Sequence, residues 1–65
     1  MKSNWMIEHC YEDGKLKYGV YRLNDISLAD TADNREYIGF YDDHNTAFFT
    51  AADLNIEAEL SGSED

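Results

Sequence analysis

His9 and Cys10 stand side by side in this 65-residue chain. A thiol beside an imidazole is the raw material of a nucleophile–base pair. Their adjacency argues against that use, because successive side chains on a strand point to opposite faces. Cys10 therefore reads as a small, half-buried strand residue and His9 as a packed aromatic neighbour. A second cluster, Asp42-Asp43-His44, combines carboxylates with an imidazole, and both donate lone pairs to divalent metals. The same residues at a strand end also make a turn and a helix N-cap, where negative charge suits the helix dipole. The cap is the preferred reading, and no metal or cofactor is expected. Asp25, Asp30 and Asp33 do not follow calcium-loop spacing, and Glu12 and Asp13 read as turn residues. Phosphate-loop, nucleophile-elbow, H-E-x-x-H and C-x-x-C patterns are missing from the sequence. No catalytic residue is nominated. A chain of 7.5 kDa has scarcely room for an enclosed pocket of roughly 300–1,000 Å³, so an enzyme is the minority expectation.

Charge is the remaining chemical signal. Five Lys and Arg stand against fourteen Asp and Glu, for a formal net charge of -9. Phosphate-backbone binding needs clustered cations, so direct nucleic-acid contact and anionic membranes are disfavoured, and a basic protein surface is the natural partner. Asp25, Asp30, Asp33, Glu36, Asp42 and Asp43 fall in or beside loops around the third strand and are the expected partner-binding residues. On one edge they would imitate duplex phosphates. The alternative is solvated charge serving solubility. The lone Cys10 excludes an internal disulfide framework, no apolar run is long enough to span a bilayer, and no apolar segment resembling a signal peptide follows Met1. A cytoplasmic mini-domain is expected.

These residues must be positioned by a small scaffold. Asp13-Gly14, between the β-prone runs 5–12 and 16–23, is a hairpin signal, since a type I′ turn needs positive φ at both central positions. A two-residue turn pairs Glu12 with Lys15, Tyr11 with Leu16, His9 with Tyr18, Ile7 with Val20 and Trp5 with Arg22. One face then carries Trp5, Ile7, His9, Tyr11, Leu16, Tyr18, Val20 and Arg22, with Arg22 over Trp5, and is the core face. The other carries Met6, Glu8, Cys10, Lys17, Gly19, Tyr21 and Leu23. Of these, Met6, Tyr21 and Leu23 are the expected self-association patch, because a domain this small needs help from a metal, a second copy or a rich core. Residues 24–35 read as a long loop pinned by Ile26 and Leu28. Residues 36–42 read as a third strand with Ile38 and Phe40 on one face and Tyr37 and Tyr41 on the other, Gly39 marking a bulge or a close approach. Ala47, Phe48, Ala51 and Leu54 follow a helical stripe, capped by Asp43 or Asn45. The preferred helix runs from about 44 to Asn55, against a competing strand over 46–50, and 56–60 either extends it or lies on the sheet. The expected fold is α+β: a small antiparallel sheet, β-β-loop-β-α, with one helix packed on one face, a single domain over 1–60 and a disordered acidic tail over 61–65.

The runs Asp13-Gly14-Lys15, Tyr18-Gly19-Val20-Tyr21-Arg22-Leu23, Asp33-Asn34-Arg35-Glu36-Tyr37 and Ala51-Ala52-Asp53-Leu54-Asn55 resemble short proteins of gut Firmicutes and their phages or mobile elements. Size and β-rich layout are also similar to a small PC4-like type of anti-CRISPR protein. That resemblance implies oligomerisation and action on nucleic acid or on a Cas nuclease. The leading expectation is a small, acidic, non-enzymatic protein-interaction module of phage or mobile-element type that occupies a basic, nucleic-acid-binding surface, an anti-defence inhibitor being one form of it. The alternatives are a PC4-like nucleic-acid-binding or nicking module and a structural homo-oligomer.

Overall fold

A computed structural model describes residues 1–61. The chain runs through β1 (Met6–Glu12), β2 (Lys15–Leu23), a 3-10 turn (Ala32–Asn34), β3 (Arg35–Tyr41) and α1 (His44–Ser61). The strands form one antiparallel sheet in the order β1-β2-β3. The helix packs across one face, giving the expected α+β architecture.

The hairpin follows from its turn. Asp13 and Gly14 both hold positive φ, 55° and 78°, and the pairs Glu12–Lys15, Tyr11–Leu16, His9–Tyr18 and Ile7–Val20 form as the turn dictates. Asp43 caps α1: its carboxylate accepts from the Thr46 N–H at 3.0 Å and the Thr46 hydroxyl at 3.3 Å. Ala47 and Ala51 are 0% and 5% exposed and sit on Val20, itself 0% exposed. Two alanines at i and i+4 let the helix backbone approach the sheet closely. Trp5, Ile7, Tyr18, Tyr41 and Leu54 close around this contact. Arg22 lies 4.3 Å from the centre of the Trp5 ring, a contact worth about 0.5–1 kcal/mol where solvent reaches it.

The structure corrects several expectations. The helix does not stop at Asn55. The Asn55 side chain accepts from the Trp5 N–H at 2.8 Å and donates to the Trp5 carbonyl at 3.2 Å, so it binds the backbone entering β1 and the helix runs on to Ser61. That makes Ser61 helical, while the rest of the expected tail lies outside the described residues. In β3, Val20 pairs with Gly39 but Tyr21 pairs with Tyr37, which leaves Ile38 as an extra residue. This bulge reverses the alternation. Tyr37 and Phe40 share the open face, their rings stacked at 5.1 Å, and Tyr41 faces the helix. The core face is covered only in part, since Tyr11 is 76% exposed and His9 is exposed.

Ile26 and Leu28 do not pin the long loop, being 52% and 60% exposed. Asn34 does so. It is buried, accepts from the Asp25 N–H at 3.0 Å, and donates to the carbonyls of Asp25 at 2.9 Å and Ala29 at 3.0 Å. One carboxamide thus satisfies several loop backbone groups that turn away from the sheet ladder. Further bonds run from the Asn24 N–H to the Asn34 carbonyl (2.8 Å) and from the Ile26 N–H to the Met1 carbonyl (2.9 Å).

Candidate interaction surface

The six acids singled out by sequence divide between the two ends of β3. Asp25, Asp30, Asp33 and Glu36 lie at its start and Asp42 and Asp43 just past its end, about 20 Å apart for a seven-residue strand. Five of the six are engaged within the chain. Asp25 accepts from the Ser27 hydroxyl at 2.7 Å and the Ser27 N–H at 3.0 Å, and these bonds hold its carboxyl below the usual range. Asp30 takes the Arg35 guanidinium at 2.6 and 3.2 Å, a forked contact that lowers its pKa. Glu36 receives Arg22 at 3.1 Å and Lys2 at 3.3 Å, with Arg22 the larger cause of its lowered pKa. Asp42 pairs with Lys17, which lowers the acid and raises the amine. Asp43 caps the helix. Asp33 has no hydrogen-bond or ion-pair partner among the described residues.

The open face of the sheet is held by Arg35. Its guanidinium pairs with Glu8, lies 4.3 Å from the centre of the Tyr21 ring and donates to the Tyr37 hydroxyl at 2.9 Å. The Tyr37 hydroxyl in turn donates to Glu8 at 2.9 Å. The hydrogen bond that Arg35 donates to Asp30, then the one it donates to Tyr37, raise the Arg35 pKa, while burial is the main cause that raises the Tyr37 pKa. Tyr21 is 8% exposed beneath these groups, so the expected self-association patch of Met6, Tyr21 and Leu23 has its one ring covered by the chain's own side chains.

The Asp42-Asp43-His44 cluster disperses. Asp42 turns to Lys17, Asp43 to the helix start, and the His44 ring to Tyr18 at 5.2 Å and Phe48 at 6.3 Å. Cys10 lies on the sheet face opposite His9, as alternation requires. Among the described residues no three His, Cys, Asp or Glu side chains converge as metal ligands.

Two features went unread in the sequence. Four of the five Lys and Arg residues, Lys2, Lys17, Arg22 and Arg35, are held in internal ion pairs. Glu12, Asp13, Asp53, Glu57 and Glu59 have no such partner among the described residues. Second, α1 is apolar on two sides. Ala47, Ala51 and Leu54 face the sheet, while Phe49, Ile56 and Leu60 point outward at 60%, 53% and 82% exposure. The spacings of seven and four among these three were the available sequence signal. Beside Ile56 an open cleft of ≈ 280 Å³ is bounded by Asn4, Asn55, Ile56, Ala58 and Glu59. No helix is long and apolar enough to cross a membrane among the described residues.

No protein-family model, curated protein or solved structure matches the chain.

Proposed function

We propose that the protein is a small, non-enzymatic interaction module that occupies a basic surface of another protein, of the kind that ordinarily receives nucleic acid. Inhibition of a host defence nuclease is the specific form suggested by the resemblance described above. The observation that supports the reading is the disposition of charge. The chain's cations are largely consumed by its own carboxylates, which leaves Glu12 and Asp13 at the hairpin tip, Asp33 in the loop and Asp53, Glu57 and Glu59 along the helix facing solvent. Unpaired carboxylates raise the local concentration of cationic partners and speed their association.

The test is affinity capture from a bacterial lysate with the immobilised chain. DNA-binding proteins are expected on the resin at about 50 mM salt, displaced by added duplex DNA and released by about 500 mM, where screening shortens the reach of surface charge. Capture that persists unchanged across that range, or that DNA does not compete, overturns the reading.

A further inference from the structure

The outer side of α1 carries an exposed apolar strip. Phe49, Ile56 and Leu60 recur at spacings of seven and four, which places them on one side of an α-helix and spans about 16 Å of its length. Phe48 extends this strip: it is 50% exposed and meets Phe49 edge-on at 5.6 Å. The four side chains leave on the order of 400 Å² of apolar surface in water, comparable to the largest patch on a typical monomer. The contact of α1 with the sheet is made by Ala47, Ala51 and Leu54 on the other side of the same helix, so Phe49, Ile56 and Leu60 are not part of it.

The rim of this strip has one sign. Asp53, Glu57 and Glu59 border it, and α1 carries no Lys or Arg from His44 to Ser61. Glu59 also forms part of the cleft beside Ile56. A second copy of the chain laid strip to strip would bring these acids together with no cation between them. A segment with an apolar stripe flanked by Lys and Arg meets both the strip and the rim.

We infer that the outer face of α1, formed by Phe49, Ile56 and Leu60 and bordered by Asp53, Glu57 and Glu59, is a docking site for a basic amphipathic helix of a partner protein. This rests on the proposed preference for basic surfaces and adds to it a defined site and a defined shape of ligand. Recognition is of the helix-against-apolar-strip kind, with anchors at heptad spacing. One long cationic side chain of the incoming helix enters the cleft beside Ile56 and meets Glu59.

The experiment uses the full chain and three labelled probes read by fluorescence anisotropy. The first is a 20-residue peptide with Leu at heptad spacing and Lys and Arg alongside. The second has the same composition with the stripe scrambled, and the third is oligolysine. The striped peptide is expected to bind at least tenfold more tightly than the scrambled one. Phe49→Glu and Ile56→Glu are each expected to remove that advantage while far-ultraviolet circular dichroism stays that of the parent. Phe49→Ser serves as a milder variant should the acidic ones perturb folding. Equal binding of all three peptides, unchanged by the variants, overturns the docking site and leaves the charge reading standing. Absence of binding by any cationic probe overturns both. Light scattering that shows a dimer of the parent chain and a monomer of Phe49→Glu makes a second copy the occupant, and the inference fails.

Discussion

The two faces of the sheet are held by different forces. On the helix side the contact is almost wholly apolar: Val20 against Ala47 and Ala51, with aromatic rings and Leu54 around them. On the open side no element among the described residues covers the strands, and Tyr21 is buried nonetheless, by the guanidinium of Arg35 and the ring of Tyr37, themselves tied to Glu8 and Asp30. A chain this short has one helix to spend on one face. The other face shows how a charged side chain can serve as a lid, its planar head stacked on an aromatic ring and its N–H groups directed at carboxylates. The difference teaches that the two halves should answer to different perturbations, the first to volume and the second to charge.

The sharpest way to break the helix side is Ala47→Asp. An uncompensated buried carboxylate costs about 3–5 kcal/mol, as much as a 65-residue domain commonly has to lose at roughly 0.05–0.15 kcal/mol per residue. Urea titration followed by circular dichroism should show a chain unfolded, or nearly so, in buffer. Native-like melting of this variant would mean that the helix does not seal that face.

A smaller loss is expected where the open side joins its loop. Asn34→Ala strands the backbone groups of Asp25 and Ala29 that the carboxamide now satisfies, at about 1–3 kcal/mol for the buried ones. Hydrogen exchange should rise over residues 24–31 and stay parental in α1. Uniform change across the chain would erase the proposed independence of the two sides.

Acid separates the two sides further. Away from the helix face, Asp25, Asp30 and Asp42 titrate lower in the folded chain than as free carboxylates. Their contribution is present above the ordinary carboxylate range and is lost as pH falls through their folded values, below about 4. Tyr37 runs the opposite way. Its raised pKa favours folding below about 10, and that contribution is lost as pH climbs through the folded value. The melting temperature should therefore drop at both extremes, with the Tyr37 and Phe40 resonances shifting before those of Ala47 and Ala51. Simultaneous movement of both sets would contradict the division.

The least costly change is Gly19→Ala. An added Cβ would lie 2.7 Å from Cε2 of Phe40, but that atom is the far end of a half-exposed ring, and strand propensity gains slightly from the exchange. The net effect should fall below about 1 kcal/mol. In the Phe40→Ala background the same substitution should become neutral or stabilising, as a double-mutant cycle would show.

Local chemistry explains why some of this was legible in the sequence. The hairpin, its register, the His9–Tyr18 contact and the Arg22–Trp5 contact all follow from a two-residue turn at Asp13-Gly14, so no distant information was needed. The Asp43 cap was readable for the same reason. The face of Tyr37 was not, because the bulge at Ile38 exists only in the pairing of β3 with β2. Asn55 looked like a helix terminator because its partner, the Trp5 backbone, lies fifty residues away. The loop acids looked like one charged edge because nothing in their spacing reveals that Arg35, Arg22, Lys2 and Lys17 will reach back to claim them. The outer strip of α1 was hidden by a different rule. Ala47, Phe48, Ala51 and Leu54 already read as one apolar stripe, yet Phe48 is 50% exposed and belongs with the outer strip, because only the alanines and Leu54 reach the sheet.

The bond between Asn55 and Trp5 has a consequence for how the protein could misassemble. β1 is an edge strand, and exposed edges invite growth by strand addition into fibres. The carboxamide of Asn55 already occupies the amide and carbonyl of Trp5, as a neighbouring strand would. The helix thus closes the start of that edge, and a chain whose C-terminal half comes loose would lose its core and, in the same event, free the Trp5 amide and carbonyl for the next molecule.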